Sequence, residues 1–171
     1  MNKIIITGTS RGIGNAIAKY LLKQNIIVIG LSRKHTIKHK NYFAITYDLN
    51  DLKNIKKVIE DIIFKHKKID AIISNAGYGV FENLENLKEQ EIIAFVNVNF
   101  LSHILISKFL VPHFKKKKTG HFIFMGSEAS LKGNQKSTLY SAAKHGLFGF
   151  VKSLRKECNK SEIRVTIINP G

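Results

Sequence analysis

Two side chains four residues apart, Tyr140 and Lys144 in "YSAAKHGLFGFVKSLRKEC" (140–158), raise the first chemical question. On a helix they share a face. A tyrosine with a pKa near 10 transfers protons poorly at neutral pH. A Lys⁺ about 5 Å away, at an effective dielectric near 20, stabilises the phenolate by roughly 3 kcal/mol, or about two pKa units. In bulk water the same pair gains under about 1 kcal/mol, so it becomes useful only where water is excluded. Taken alone, Tyr-x-x-x-Lys is a common spacing on surface helices. The case rests on what gathers around it.

A glycine-rich stretch, "TGTSRGIG" (7–14), follows an apolar run and opens a helical pattern. Gly8, Gly12 and Gly14 permit a tight turn, with Ser10, Arg11 and Ile13 between them. The helix that follows offers unpaired N–H groups and a positive dipole end to a phosphate. The spacing is G-x-x-x-G-x-G, not the dinucleotide fingerprint G-x-G-x-x-G. Its weight comes from lying between a first strand and a helix. About 20 residues further on, an NAD site would carry an acid for the ribose hydroxyls. This chain reads "GLSRK" there, Ser32 then Arg33, with no acid. Arg33 suits a 2′-phosphate, and Arg11 in the glycine loop suits a second clamp; ordinary surface arginines are the plain alternative. The chain has 4 arginines, and finding two at these positions points to NADP(H) over NAD(H).

The elements that must position these residues alternate. Apolar runs at 3–7, 26–31, 42–48, 70–74, 120–126 and 163–169 read as six strands. Helical patterns fall near 12–24, 51–66, 85–94, 99–117 and 140–158. Strands flanked by helices predict right-handed βαβ units and a parallel sheet covered on both faces. Continuous Ile and Val runs suit strands buried on both sides. Ligands in such sheets bind beyond the carboxyl ends of the strands. The residues falling there are Gly8, Ser32-Arg33, Asp48, Ser74-Asn75-Ala76-Gly77, Gly126-Ser127 and Asn169-Pro170-Gly171. Small and polar residues therefore gather along one sheet edge.

The 171 residues read as one domain, and 44% apolar content fits a globular chain. No run reaches the roughly 20 apolar residues of a membrane span. The single cysteine, Cys158, forms no internal disulfide and fits a reducing cytoplasm. Net charge is +16, but lysine supplies 24 of the 28 basic residues and is scattered, which argues against a nucleic-acid reader. His35 and His39 are four apart in what reads as an exposed basic loop without carboxylates, so metal binding is not expected. The apolar arc of helix 99–117 is wider than a one-sided surface helix needs. Deep burial and a subunit interface are equal readings of it.

Together these residues resemble the short-chain dehydrogenase/reductase family over essentially the whole chain. The matching segments are "TGTSRGIG", Asp48 after strand three, "NAG" (75–77), Asn99 in "NVNF", Ser127 in "GS", "YSAAK" (140–144) and "NPG" (169–171). The resemblance implies a Rossmann-type doubly wound α/β sheet. It also implies hydride transfer between a nicotinamide and a carbonyl or alcohol carbon of a small molecule. Tyr140 would be general acid in reduction and base in oxidation. Lys144 would bind the nicotinamide ribose and lower the tyrosine pKa, and Ser127 would polarise the substrate oxygen. Asn99, with Asn97 as fallback, would anchor a water linking Lys144 to solvent. Asp48 would contact the adenine. Asn75 would sit beside the adenosine ribose and tie the central strands together, and Pro170-Gly171 would turn over the nicotinamide. Many members form homodimers or homotetramers through the helices carrying Asn99 and Tyr140. Members also continue past the Pro-Gly with a segment that caps the nicotinamide and shapes the substrate pocket. Against that pattern, 1–171 is expected to be a nucleotide-binding domain shortened at its C-terminus. A nucleotide-binding protein without catalysis is the competing reading. Strand six would then form a sheet edge, with Ile163, Val165 and Ile167 lacking a neighbour on one side.

Overall fold

A computed structural model describes residues 2–171. Six parallel strands form one sheet in the order β3-β2-β1-β4-β5-β6. They are β1 (Lys3–Thr7), β2 (Ile27–Ser32), β3 (Tyr42–Thr46), β4 (Ala71–Ser74), β5 (Gly120–Met125) and β6 (Ile163–Ile168). The order reverses between β1 and β4, where Ile5 lies opposite Ile72 on one side and Ile29 on the other. All three are fully buried, as continuous Ile runs in a two-sided sheet require. The helices are α1 (Gly12–Lys23), α2 (Ile55–His66), α3 (Glu89–Val96), α4 (Ser102–Lys117) and α5 (Thr138–Cys158).

The two faces are covered unequally. Residues of α2, α4 and α5, among them Ile59, Leu110 and Val151, pack with Ile5, Phe122 and Phe124 on one face. On the other, Ala18 and Leu22 of α1 cover Ile4, Ile6 and Val28. The crossing from β2 to β3 carries no helix; the loop 33–41 makes it. His35 in that loop is half-buried, and its Nδ1 shares a 2.8 Å hydrogen bond with the Tyr42 hydroxyl. The segment expected to be an exposed basic loop is thus partly folded onto the sheet.

Two further expectations change. The helical patterns at 85–94 and 99–117 are one helix, Glu89–Lys117, because α3 and α4 join through a π turn at Asn97–Leu101. By length and composition this helix could cross a membrane, with a mean hydropathy of 1.6 over its most apolar window. Its Ile106, Leu110 and Phe114 are fully buried against the fold instead. The half-buried Phe100, Leu105, Phe109 and Val111 also pack on the same core, which accounts for much of the wide apolar arc. Strand β6 does form the sheet edge, but Ile163 and Val165 are buried and Ile167 packs beside them, beneath α5. Period-2 alternation aims these three at the helix layer, so the apolar residue left outside is Ile168.

Candidate active site

The glycine turn is built on close approach. Gly8 and Gly12 adopt φ of +77° and +60°, a region that side chains disfavour. At Gly14 a Cβ would stand 2.3 Å from the Gly8 carbonyl oxygen and 2.4 Å from Asn75 Nδ2. Helix α1 therefore starts directly against the turn and the end of β4. Arg11, in extended conformation before it, provides no side-chain cap, which leaves the first N–H groups of α1 facing out of the turn. Asn75 closes the crevice beneath. Its Nδ2 donates to the carbonyls of Thr7 and Gly8, at 3.0 and 3.3 Å. The backbone N–H groups of Asn75 and Ala76 both donate to Thr7 Oγ1, at 3.0 and 2.9 Å. Asn75 thus ties the two central strands together, as expected.

A cleft of about 900 Å³ runs above this stitching along the carboxyl ends of the strands. In sheet order it is lined by Asp48, Arg33, the turn residues Gly8, Ser10, Arg11, Gly12 and Ile13, then Asn75, Ala76 and Gly77, Ser127, and Pro170-Gly171. Asn99, Tyr140 and Lys144 line it from the helices. Of the expected site residues only Gly14 is not in its wall; it is buried below the turn. Reasoning from sequence did not find Tyr78, Ala94 or Val98, which also line the cleft. Ala94 and Val98 lie four apart on the helix bearing Asn99, a spacing that was available as a signal.

Asn99 sits in the π turn and is fully buried. Its Nδ2 donates to Phe95 O at 3.1 Å, and its Oδ1 accepts the Tyr78 N–H at 3.0 Å. Asn97 instead donates to Asn50 Oδ1 at 3.0 Å and is not in the cleft wall. Of the two asparagines, Asn99 is the one brought to the site. Ser127 is held by its own turn: its Oγ accepts the Ala129 N–H and its N–H donates to Ser130 Oγ, both at 3.2 Å. Phe81 and Phe95 flank the Tyr140 ring at 5.7 and 6.3 Å between centroids, so one side of the tyrosine is apolar.

Lys144 is 5% exposed. Its Nζ donates to the Met125 carbonyl at 2.9 Å and lies 5.7 Å from the centre of the Tyr140 ring. Burial pulls its pKa down to about 8 from 10.5. The folded chain therefore binds fewer protons at this position than the unfolded chain between those two values. Stability should rise with pH across that window, with the whole cost present below pH 8. Between pH 7 and 10 the gain is about 2–3 kcal/mol. Lys144→Met should lack this increment when both proteins are unfolded with urea across that range. Parallel pH profiles for the two would contradict a buried, depressed lysine.

The sequence profile of the short chain dehydrogenase family matches residues 2–171. The chain belongs to that family. Its members are oxidoreductases of CH–OH and C=O groups. The 3-oxoacyl-[acyl-carrier-protein] reductase FabG of Buchnera aphidicola subsp. Acyrthosiphon pisum is 36% identical over 97% of this short-chain dehydrogenase and 71% of that enzyme. The 3-ketodihydrosphingosine reductase of Bacteroides thetaiotaomicron is 30% identical over 98% of the chain and 62% of that enzyme. Among solved structures, a metagenomic short-chain oxidoreductase in complex with NADP superposes with a TM-score of 0.93 at 27% identity. It is matched over 99% of this chain and 81% of its own. A 4-hydroxyisoleucine dehydrogenase complexed with NADH superposes at 0.94 with 25% identity, over 100% of this chain and 75% of its own. The cleft of this chain fits such a dinucleotide. A Cβ at Gly8 or Gly14 would crowd the crevice, the start of α1 carries no side-chain cap, and two guanidinium-bearing residues stand in the same wall.

Proposed function

We propose that this short-chain dehydrogenase is an NADP(H)-dependent oxidoreductase that interconverts a ketone or aldehyde and its alcohol at Tyr140. The observation that carries this is one cleft holding Tyr140, Lys144, Ser127 and Asn99 together with the glycine turn and Arg11 and Arg33. A bound nicotinamide would supply the hydride, with Pro170-Gly171 turning over it and Asn75 beside the adenosine ribose. The chain's own residues do the rest. Ser127 holds the substrate oxygen, and Tyr140 gives that oxygen a proton in reduction and takes it back in oxidation. Lys144, in its charged form, stabilises the phenolate left on Tyr140, and its own burial keeps that attraction from being fully screened by water. Lys144 then passes a proton to that phenolate, and a water anchored by Asn99 restores the proton to Lys144 from solvent. Asp48 would hold the adenine end, and Arg11 and Arg33 would hold a 2′-phosphate.

The same reading has the chain working as a homodimer or homotetramer through α4 and α5. It also places it in a reducing, cytoplasmic setting, consistent with the buried free thiol of Cys158. Calorimetric titration with NADPH and NADH, followed by turnover assays on a panel of ketones and aldehydes, tests the proposal. NADPH should bind at least about tenfold more tightly than NADH, given charge-assisted contacts from two arginines. It should also be oxidised with at least one member of the panel. Tight binding without turnover on any substrate would leave a nucleotide-binding protein and remove the catalytic assignment.

A further inference from the structure

His103 lies one helical turn beyond Asn99, is fully buried, and has no place in the proton chemistry proposed above. Its Nε2 is 3.0 Å from the Ala76 carbonyl oxygen, which can only accept, so Nε2 carries the proton. Ala76 belongs to the cleft-lining segment that leaves β4, and that segment is fastened at several atoms. Its N–H groups at Asn75 and Ala76 go to Thr7 Oγ1, and its N–H at Tyr78 goes to Asn99 Oδ1. The Ala76 carbonyl takes part in none of these contacts, and His103 bonds to it.

We infer that His103 is a positioning residue for the nucleotide site: with Asn99 it forms a two-point clamp, from one helix, that fixes the peptide planes of Ala76, Gly77 and Tyr78. The clamp explains why a polar ring occupies a core position. A leucine there would bury the Ala76 carbonyl without a partner, and the freed peptide could rotate to find one. Burial, and not the clamp, keeps the ring neutral, since the bond to the Ala76 carbonyl pulls the other way. Desolvation, then the charge of Lys144, push its pKa down to about 3, so both nitrogens are never protonated in the working range. Its Nδ1 is buried without a protein partner, so Nδ1 contributes nothing to the clamp. The direction of coupling follows. The helix that carries Asn99 also sets the cleft-lining loop after β4, across 27 residues of sequence.

This inference rests on the nucleotide reading of the cleft, but its test separates the two. Gln places an amide nitrogen near the position of Nε2, and Asn places one near Nδ1. His103→Gln should therefore keep the clamp and His103→Asn should lose it. Amide hydrogen exchange over Ala76–Gly79 should quicken about tenfold in His103→Asn and stay within about threefold of the parent in His103→Gln, the loss of roughly one buried hydrogen bond. The NADPH dissociation constant should follow the same order, weakened about tenfold in the Asn variant only. Equal exchange in parent, Gln and Asn proteins overturns the clamp. If the parent binds no NADPH, the nucleotide reading fails while exchange still judges the clamp. If the Asn variant does not fold, the ¹⁵N shifts of His103 in the parent decide. An Nε2–H tautomer between pH 6 and 8 supports the clamp, and an Nδ1–H tautomer overturns it.

Discussion

Tyr140→Phe should reduce turnover by about 10³-fold while leaving NADPH affinity and thermal stability close to those of the parent. The size follows from the usual worth of a positioned general acid, about 10² to 10⁴ in rate. The substitution removes one hydroxyl and keeps the ring, so the contacts with Phe81 and Phe95 persist. That makes the variant a clean probe: a fall in kcat with unchanged calorimetric binding assigns the hydroxyl to the chemical step. Lys144→Met should also lower kcat, but through a different route. It removes the charge beside the phenolate and the bond to the Met125 carbonyl together, so affinity for the nucleotide should fall as well. If Tyr140→Phe retained parental kcat on a substrate the parent reduces, the proton donor would have to be sought elsewhere in the cleft.

Arg33→Ala should weaken NADPH by about 10- to 100-fold and leave NADH nearly untouched, because a hydrogen bond to a charged group is worth about 1.5–3 kcal/mol. Arg11→Ala should act in the same direction, and the double variant should bring the two nucleotides to similar affinity. The argument is positional. Arg33 follows the last residue of β2, Arg11 precedes α1, and both stand in one wall of the cleft. A guanidinium fork suits a phosphate better than a lysine in either place. The comparison is also free of fold effects, since both arginines are exposed and a loss of structure would weaken both nucleotides alike. An equal loss for NADPH and NADH would show that Arg33 holds the shared part of the nucleotide. The preference would then lie elsewhere.

Much of the architecture was legible because it is local. Each Ile-rich run is shorter than a helix needs, is bounded by glycine, asparagine or charge, and became a strand. The boundaries that moved did so for identifiable contacts. Helix α2 starts at Ile55 and not near 51 because the Asp51 carboxylate accepts the N–H groups of Lys53 and Asn54 and holds a turn ahead of the helix. Strand β3 ends at Thr46 because β2, its only partner, pairs no further than Ser32. The π turn was not legible, since an extra residue in a helical turn leaves the apolar pattern on both sides intact. Instead it made one helix look like two.

Residue type and short spacing by themselves determined the six strands, the glycine turn, and the Tyr140–Lys144 pair on one helix face. They also determined that small and polar residues would fall at the strand ends. These depend on backbone geometry within a few residues. Only the tertiary structure decided that Asn99 and not Asn97 meets the cleft, that Lys144 is buried deeply enough to lose pKa, and that His103 reaches Ala76. It also decided that Ile163, Val165 and Ile167 turn into the core. Each of those depends on how α4 and α5 settle against β4, β5 and β6. Burial and the distance between segments far apart in the chain are properties of that packing, and no local pattern encodes them.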